Sequence, residues 1–184
     1  MTTIVERTRR LVNDSGSAIW VTDHAILDAL SATRVYVDRE ALQWYERQIS
    51  ASDVEYKRSR IPVAGMYEPG TTSASGTIQY SNGTAVTSGW TIDADGWVTW
   101  STDQEGTAYF YTGWAYNVYE AAADLLEERI TALYDAVDFS TDNTRVSLSQ
   151  QVKHLQDQVR RYRQLSARLG GGPGAITMVR SDVW

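Results

Sequence analysis

His24 and His154 are the only two histidines in the chain, and it has no cysteine, so the usual acid–base side chain is scarce and thiolate chemistry is absent. His24 stands in the first turn of an expected helix and His154 lies beside the apolar stripe of another. Neither has a second ligand at metal-binding spacing, and both are read as structural or surface positions. Asp93-Ala94-Asp95-Gly96 alternates acids before a glycine, as a calcium loop does. Counted from that glycine, however, the first ligand falls on Thr91 and the twelfth on Thr102, where such a loop requires a bidentate acid. A hairpin turn is the expectation there. No nucleophile, base and metal set converges in the sequence, so the chain is expected to be no enzyme and to need no cofactor.

The remaining side chains with chemical reach are aromatic and basic. Trp90, Trp97, Trp100 and Trp114 have the type needed to stack on sugars or bases. A small sheet with few aliphatics must also bury something large, and aromatics bury roughly 150–250 Å² each, so core or subunit interface is the first reading and a ligand platform the second. Arg160, Arg161, Arg163 and Arg168 suggest phosphate contact. A solvated helix face, or pairing with acids of a neighbouring subunit, is preferred.

The elements that must position these residues are most legible from Gly113 to Arg168. Tyr119, Ala122, Leu126, Ile130, Leu133 and Val137 recur three or four residues apart, as do Leu148, Val152, Leu155, Val159 and Tyr162, which predicts two amphipathic helices. The first carries Glu120, Asp124, Glu127, Glu128, Asp135 and Asp138 against Arg129; the second carries Lys153, Arg160, Arg161, Arg163 and Arg168 against Asp157. A polar turn from Asp138 to Thr144 makes them an antiparallel αα-hairpin with attracting flanks. Capping boxes are expected at Asn117 with Glu120 and at Ser147 with Gln150.

Upstream, a helix from Thr3 to Val12 and a second one capped by Thr22 or Asp23 are expected, the latter using Ala25, Ile26, Ala29 and Leu30 as its apolar face. Between Thr33 and Val63 the signals conflict: Arg34 to Asp38 alternates like a strand, while Ala41 to Gln48 fits either period. Two paired extended segments are favoured. Gly76 to Thr112 reads as three or four short strands, with Asn82-Gly83 and Asp95-Gly96 as type I′ hairpin turns.

With 184 residues and a net charge of −6, the chain has room for a core and an appended module. The charge is uneven: residues 61–113 carry five acids and neither Lys nor Arg, which makes that middle a poor grip for phosphates. No apolar run approaches the ~20 residues of a membrane span, and the start lacks the apolar core of a signal peptide, so no membrane partner and an unprocessed soluble product are expected. After Leu169 a Gly-rich break precedes a tail that is apolar at Ile176, Met178, Val179, Val183 and Trp184.

Thr112-Gly113-Trp114-Ala115-Tyr116 leading into Tyr119-Glu120-Ala121-Ala122-Ala123-Asp124-Leu125-Leu126-Glu127, then Phe139-Ser140, Ser149-Gln150 and Arg161-Tyr162-Arg163, form an order of pieces. With Arg7, Arg9 and Arg10, the Asn13-Asp14-Ser15-Gly16 turn and Thr22-Asp23, this order resembles the head-to-tail connector (adaptor or head-completion) proteins of tailed bacteriophages. The Trp- and Tyr-rich middle and the long tail depart from that pattern. The resemblance implies a virion protein assembled in the host cytoplasm. It would form a homo-oligomeric ring of about a dozen copies between the portal protein and a tail or stopper protein, with DNA passing through without sequence-specific binding. A lumen that lets DNA slide is expected to be acidic or neutral. The tail, through Ile176, Met178, Val179, Val183 and Trp184, is expected to dock on the portal or a neighbouring subunit as an added strand.

The expected class is mainly α with a β insertion (α+β): a helical connector core from 1–60 and 113–169, a β-rich insertion from 61–112, and an extended tail from 170–184. A carbohydrate- or receptor-binding virion module built on the aromatic insertion is the alternative.

Overall fold

The computed structural model describes residues 3–13, 20–50, 53–70, 76–137 and 142–169, without the side chains of 135–137 and 142–148. The described elements run α1 (Ile4–Leu11), α2 (Asp23–Ala32), β1 (Val35–Ala41), β2 (Gln43–Ser50), β3 (Asp53–Arg60), β4 (Gly76–Tyr80), β5 (Trp90–Ile92), β6 (Trp97–Trp100), β7 (Tyr109–Ala115), α3 (Val118–Val137) and α4 (Asp142–Arg168). The class is mixed α+β, with two antiparallel sheets of strand order β1-β7-β4 and β2-β3-β6-β5.

Local chemistry starts the first helices where the sequence announces them. Thr3 Oγ1 accepts the Glu6 N–H and Glu6 Oε2 accepts the Thr3 N–H, both at 3.1 Å, a complete capping box on α1. Thr22 Oγ1 accepts the Ala25 N–H at 3.1 Å to open α2. Ile4, Thr8, Ile26 and Leu30 turn inward onto α3. On α3 itself, Val118, Ala121, Ala122, Ala123, Leu125 and Leu126 are all buried, a face wider than the predicted stripe. The reason is position: α3 packs against α1 and α2 as well as α4, and a helix enclosed on several sides is apolar on several sides.

One half of the expected box on α3 is seen, Asn117 Oδ1 accepting the Glu120 N–H at 3.2 Å, and the Glu120 carboxylate also bonds Arg163 and Ser166 of α4. Helix α4 begins at Asp142, so Asp142 to Thr144 are helical, Ser147 lies inside the helix and its expected cap does not exist. Residues 138–141 and 170–184, including the five tail positions Ile176, Met178, Val179, Val183 and Trp184, lie outside the described residues.

The conflicted stretch resolves as three strands. Trp44 and Tyr45 belong to β2, where alternate sides of a strand suit one ring facing the core and one facing outward. The expected local pairing occurs between β2 and β3, whereas β1 leaves it to pair with β7, Val35 opposite Ala115, and β3 pairs on its other edge with β6. Residues 35–60, grouped by sequence with the helices, therefore place Val37, Leu42 and Ile61 at their end in the β cluster. Leu42 joins the sheets: β1 passes through it into β2, and its N–H donates to the Tyr109 carbonyl at 2.9 Å.

Both predicted turns occur, with different geometry. Gly83 and Gly96 have φ of 85° and 78°, while Asn82 and Asp95 do not enter the left-handed region. Each turn is closed by the glycine N–H, to Tyr80 O at 3.0 Å and to Asp93 O at 3.1 Å. A strand bond follows from Tyr80 N–H to Thr84 O and from Asp93 N–H to Trp97 O. These are three-residue loops ending on a left-handed glycine, not type I′ turns. Asp93 explains its own part in this, since Oδ1 accepts the N–H groups of Asp95 and Trp97, both at 2.9 Å.

Between the sheets lies one cluster. Val37, Ile61, Ile78, Ile92, Val98 and Ala115 are buried with Tyr67, Trp90, Trp100, Tyr109 and Tyr111. Trp100 stacks on Tyr109 at 4.3 Å between centroids and donates from Nε1 to Ser59 Oγ at 3.0 Å, and Trp90 donates to the Val86 carbonyl at 2.8 Å. Each large ring so buried adds roughly 1.5–3 kcal/mol, and the polar edge of each indole keeps a partner.

Candidate functional site

The α3–α4 seam concentrates charge on one guanidinium. Glu120, Asp124 and Glu127 lie four and three residues apart, on one face of α3, and Arg163 of α4 reaches all three. Its Nη1 bonds Glu120, and its Nη2 lies 2.7 Å from Asp124 Oδ1 and 3.0 Å from Glu127 Oε2. Burial draws the guanidinium pKa down. Hydrogen bonds to Glu127 and Asp124 and the charge of Glu120 outweigh that, and Arg163 ends above its ordinary value. Ser166 Oγ donates to Glu120 Oε2 at 2.5 Å and accepts from Asn117 Nδ2 at 2.9 Å, so the cap of α3 is wired into α4. Tyr162, its pKa raised by burial, donates to the Leu11 carbonyl at 2.7 Å and ties α4 to α1. This arrangement fixes helices against each other.

The other basic residues of α4 act differently. Arg160 pairs with Asp157 of its own helix at 3.7 Å, and Lys153, Arg161 and Arg168 are exposed. The lone Arg129 of α3 sits over the Trp20 ring at 4.5 Å.

Of the four singled-out tryptophans, Trp90 and Trp100 are core. Trp97 and Trp114 face outward, each with arginine and tyrosine. Arg58 lies 4.1 Å and Arg60 5.4 Å from the Trp97 ring, with Tyr45 edge-on at 4.5 Å. Arg34 covers Trp114 at 4.0 Å, with Tyr36 edge-on at 4.9 Å. The ladder explains the first group: Arg58 stands opposite Thr99, Arg60 opposite Trp97, and the intervening Ser59 and Val98 point into the core. Arginines from outside the Lys- and Arg-free middle are thereby brought onto its sheet. Of the Tyr45, Arg58, Arg60 and Trp97 group, only the period-two alternation of Arg58-Ser59-Arg60 is visible in the sequence; the strand partners that complete it are tertiary.

Among the described residues no group of three or more His, Cys, Asp or Glu can hold a metal ion. His24 lies 3.4 Å from Asp28, and His154 contacts Gln158; both are exposed. An open groove of about 380 Å³ runs along the α3–α4 seam beside Ile130 and Val159. A second hollow of about 390 Å³ lies on the outer face of β2 and β3 between Tyr45, Arg47 and Arg58. No described helix is long and apolar enough to cross a membrane. Comparison with known proteins finds no matching family model, curated protein or solved structure.

Proposed function

We propose that the chain is a structural subunit of a ring that joins a capsid portal to the tail of a virion and extends the DNA channel. The observation that carries this reading is the α3–α4 seam. The residues quoted for the likeness to phage connectors, Glu120, Asp124 and Glu127 on one side and Tyr162 and Arg163 on the other, are those whose side chains hold α4 to α3 and α1. The two helices act as a C-terminal αα-hairpin, and docking on the portal or a neighbouring subunit falls to Ile176, Met178, Val179, Val183 and Trp184 of the segment that follows, outside the described residues. DNA passes without sequence-specific contact, and the role is mechanical, not catalytic. The carbohydrate-platform alternative has less behind it, since Trp90 and Trp100 are core and the outward Trp97 and Trp114 carry arginines over their rings.

The test is the mass of the purified chain alone and mixed with the portal protein. A ring that appears on the portal, of one fixed copy number, is the expected outcome. Failure of the chain to join portals under any condition, or a change in tryptophan emission on titration with sugars, would remove the reading.

A further inference from the structure

Arg7 and Arg10 of α1 line a third hollow, of about 240 Å³, between α1, α3 and α4. The partly buried Leu11, Met66, Tyr119 and Tyr162 give it apolar walls, and no carboxylate lines it. The walls are held in place: the Tyr119 and Tyr162 rings lie 6.1 Å apart, and the Tyr162 hydroxyl is fixed on the Leu11 carbonyl at 2.7 Å. Arg7 already meets Asp95 at 3.0 Å, whereas Arg10 makes no ion pair among the described residues. The volume falls short of the roughly 300–1,000 Å³ of a pocket for a drug-sized ligand. It suits one large apolar side chain with an acid beside it for the guanidinium.

Reach and chemistry select that side chain. Every tryptophan and tyrosine except Trp184 lies among the described residues. The other aromatic outside them, Phe139, is carried away from the hollow by α3, which runs about 27 Å from Tyr119 to Val137. Trp184 has no such barrier. Tyr162 stands about 10 Å along α4 from Leu169, and the residues that follow Leu169 span up to about 50 Å when extended. Gly170-Gly171-Gly172-Pro173-Gly174 permits the chain to reverse there. Asp182 is the one acid after Leu169, and residues two apart in an extended segment share a side, so Asp182 and Trp184 are presented together. Arg180 shares that side but stands about 13 Å from Trp184, twice as far as Asp182.

We propose that the segment Asp182-Val183-Trp184 folds back into the hollow of its own chain, with the Trp184 indole against Tyr119 and Tyr162 and the Asp182 carboxylate on Arg10. Tethering favours the chain's own copy, since a short flexible linker supplies an effective concentration of about a millimolar, above that of a second copy in dilute solution. On the connector reading this withholds Trp184 until a portal or a neighbour competes for it. The fold-back itself needs no ring.

The experiment uses the full chain. It has no cysteine, so Ser181→Cys carries a single nitroxide, on the side of an extended segment away from Asp182 and Trp184. Met1, Met66 and Met178 are its only methionines, and with carbon-13 in their methyl groups Met66 reports from the wall of the hollow. The nitroxide is expected to broaden the Met66 signal. Trp184→Ala is expected to weaken docking at least about tenfold, and Arg10→Gln or Asp182→Asn about three- to tenfold, each read as recovery of that signal. Arg10→Asp with Asp182→Arg is expected to restore the broadening that either change alone removes. Copies with nitroxide and no carbon-13, mixed with copies of the converse labelling, are expected to leave Met66 sharp. Broadening in that mixture would place the segment on a second copy and overturn the inference. So would a Met66 signal that the nitroxide broadens equally with Trp184 and with alanine in its place, or one unmoved by the changes at Arg10 and Asp182. Portal is absent from all of these samples, so a failure to join portals counts against the connector reading alone.

Discussion

Gly96 sits at φ 78° in the β5–β6 turn with the Tyr67 ring directly against it, and a Cβ there would lie 2.7 Å from Tyr67 Cε2. That ring has nowhere to go: it is buried, edge-on to Tyr111 at 5.4 Å, and its hydroxyl donates to the Val63 carbonyl at 2.7 Å. Gly96→Ala is therefore expected to cost about 2–4 kcal/mol, from left-handed strain and overpacking together. Gly83, at φ 85° but with nothing within 4 Å of the added carbon, isolates the strain alone, about 1 kcal/mol. Thermal melts of the two variants check this, and equal losses would show that the Tyr67 contact is irrelevant. The sequence located both turns through Asn82-Gly83 and Asp95-Gly96. It could not show their type, because a glycine pair signal states where positive φ is available and not how many residues adopt it.

At the scale of elements, the opposite charges of α3 and α4 were visible in the sequence, yet one arginine does the bridging. The selection is a matter of register, since Arg163 alone is seen to stand opposite the Glu120, Asp124, Glu127 face among the described residues. Arg163→Gln would remove the cation and leave those three carboxylates facing one another. Because Arg163 is about a third exposed, solvent screens part of the loss; roughly 1–2 kcal/mol is expected. The deficit should shrink in high salt as the remaining repulsion is screened. Arg160→Gln removes only an exposed contact within its own helix and is expected to change stability by less than about 0.5 kcal/mol. Denaturant titrations at two salt concentrations separate the cases, and identical behaviour of the two variants would refute the assignment of the bridge to Arg163. The same limit of local reading hid the site on β3. Arg58 and Arg60 alternate plainly, but the strand that carries Trp97 begins 37 residues after Arg60 and only tertiary pairing brings them together.

For the molecule as a whole, the buried side chains fall into a helical cluster and a β cluster that chain order interleaves. Helices α1 and α2 precede the strands, α3 and α4 follow them, and the long-range ladder between β1 and β7 brings the two helical halves together. Such a ladder is set by which residues of each strand turn to the buried face and not by local propensity, which is why 35–60 could be read as extended without the long-range partner of β1 being known. Where the chain enters and leaves the strands, Met66 and Tyr116, both packed on the helical cluster, exchange N–H to carbonyl bonds at 2.8 Å in both directions. Arg7 of α1 reaches across to Asp95 in the β5–β6 turn at 3.0 Å and lies 3.3 Å from Met66 Sδ. Neither helical half is covalently continuous with the other except through the strands, so loss of the β cluster would leave α1 and α2 held to α3 and α4 only by their own packing, across a long unfolded loop whose closure costs entropy. Helix and sheet are thus expected to melt as one cooperative unit. Far-ultraviolet ellipticity reports chiefly the helices, and tryptophan emission chiefly Trp44, Trp90, Trp97, Trp100 and Trp114 of the strands. The two signals should trace coincident thermal transitions. An emission change completed well below the loss of ellipticity would instead mean that the bundle stands without its β part, and that the strands are an appended module and not the brace between the helical halves.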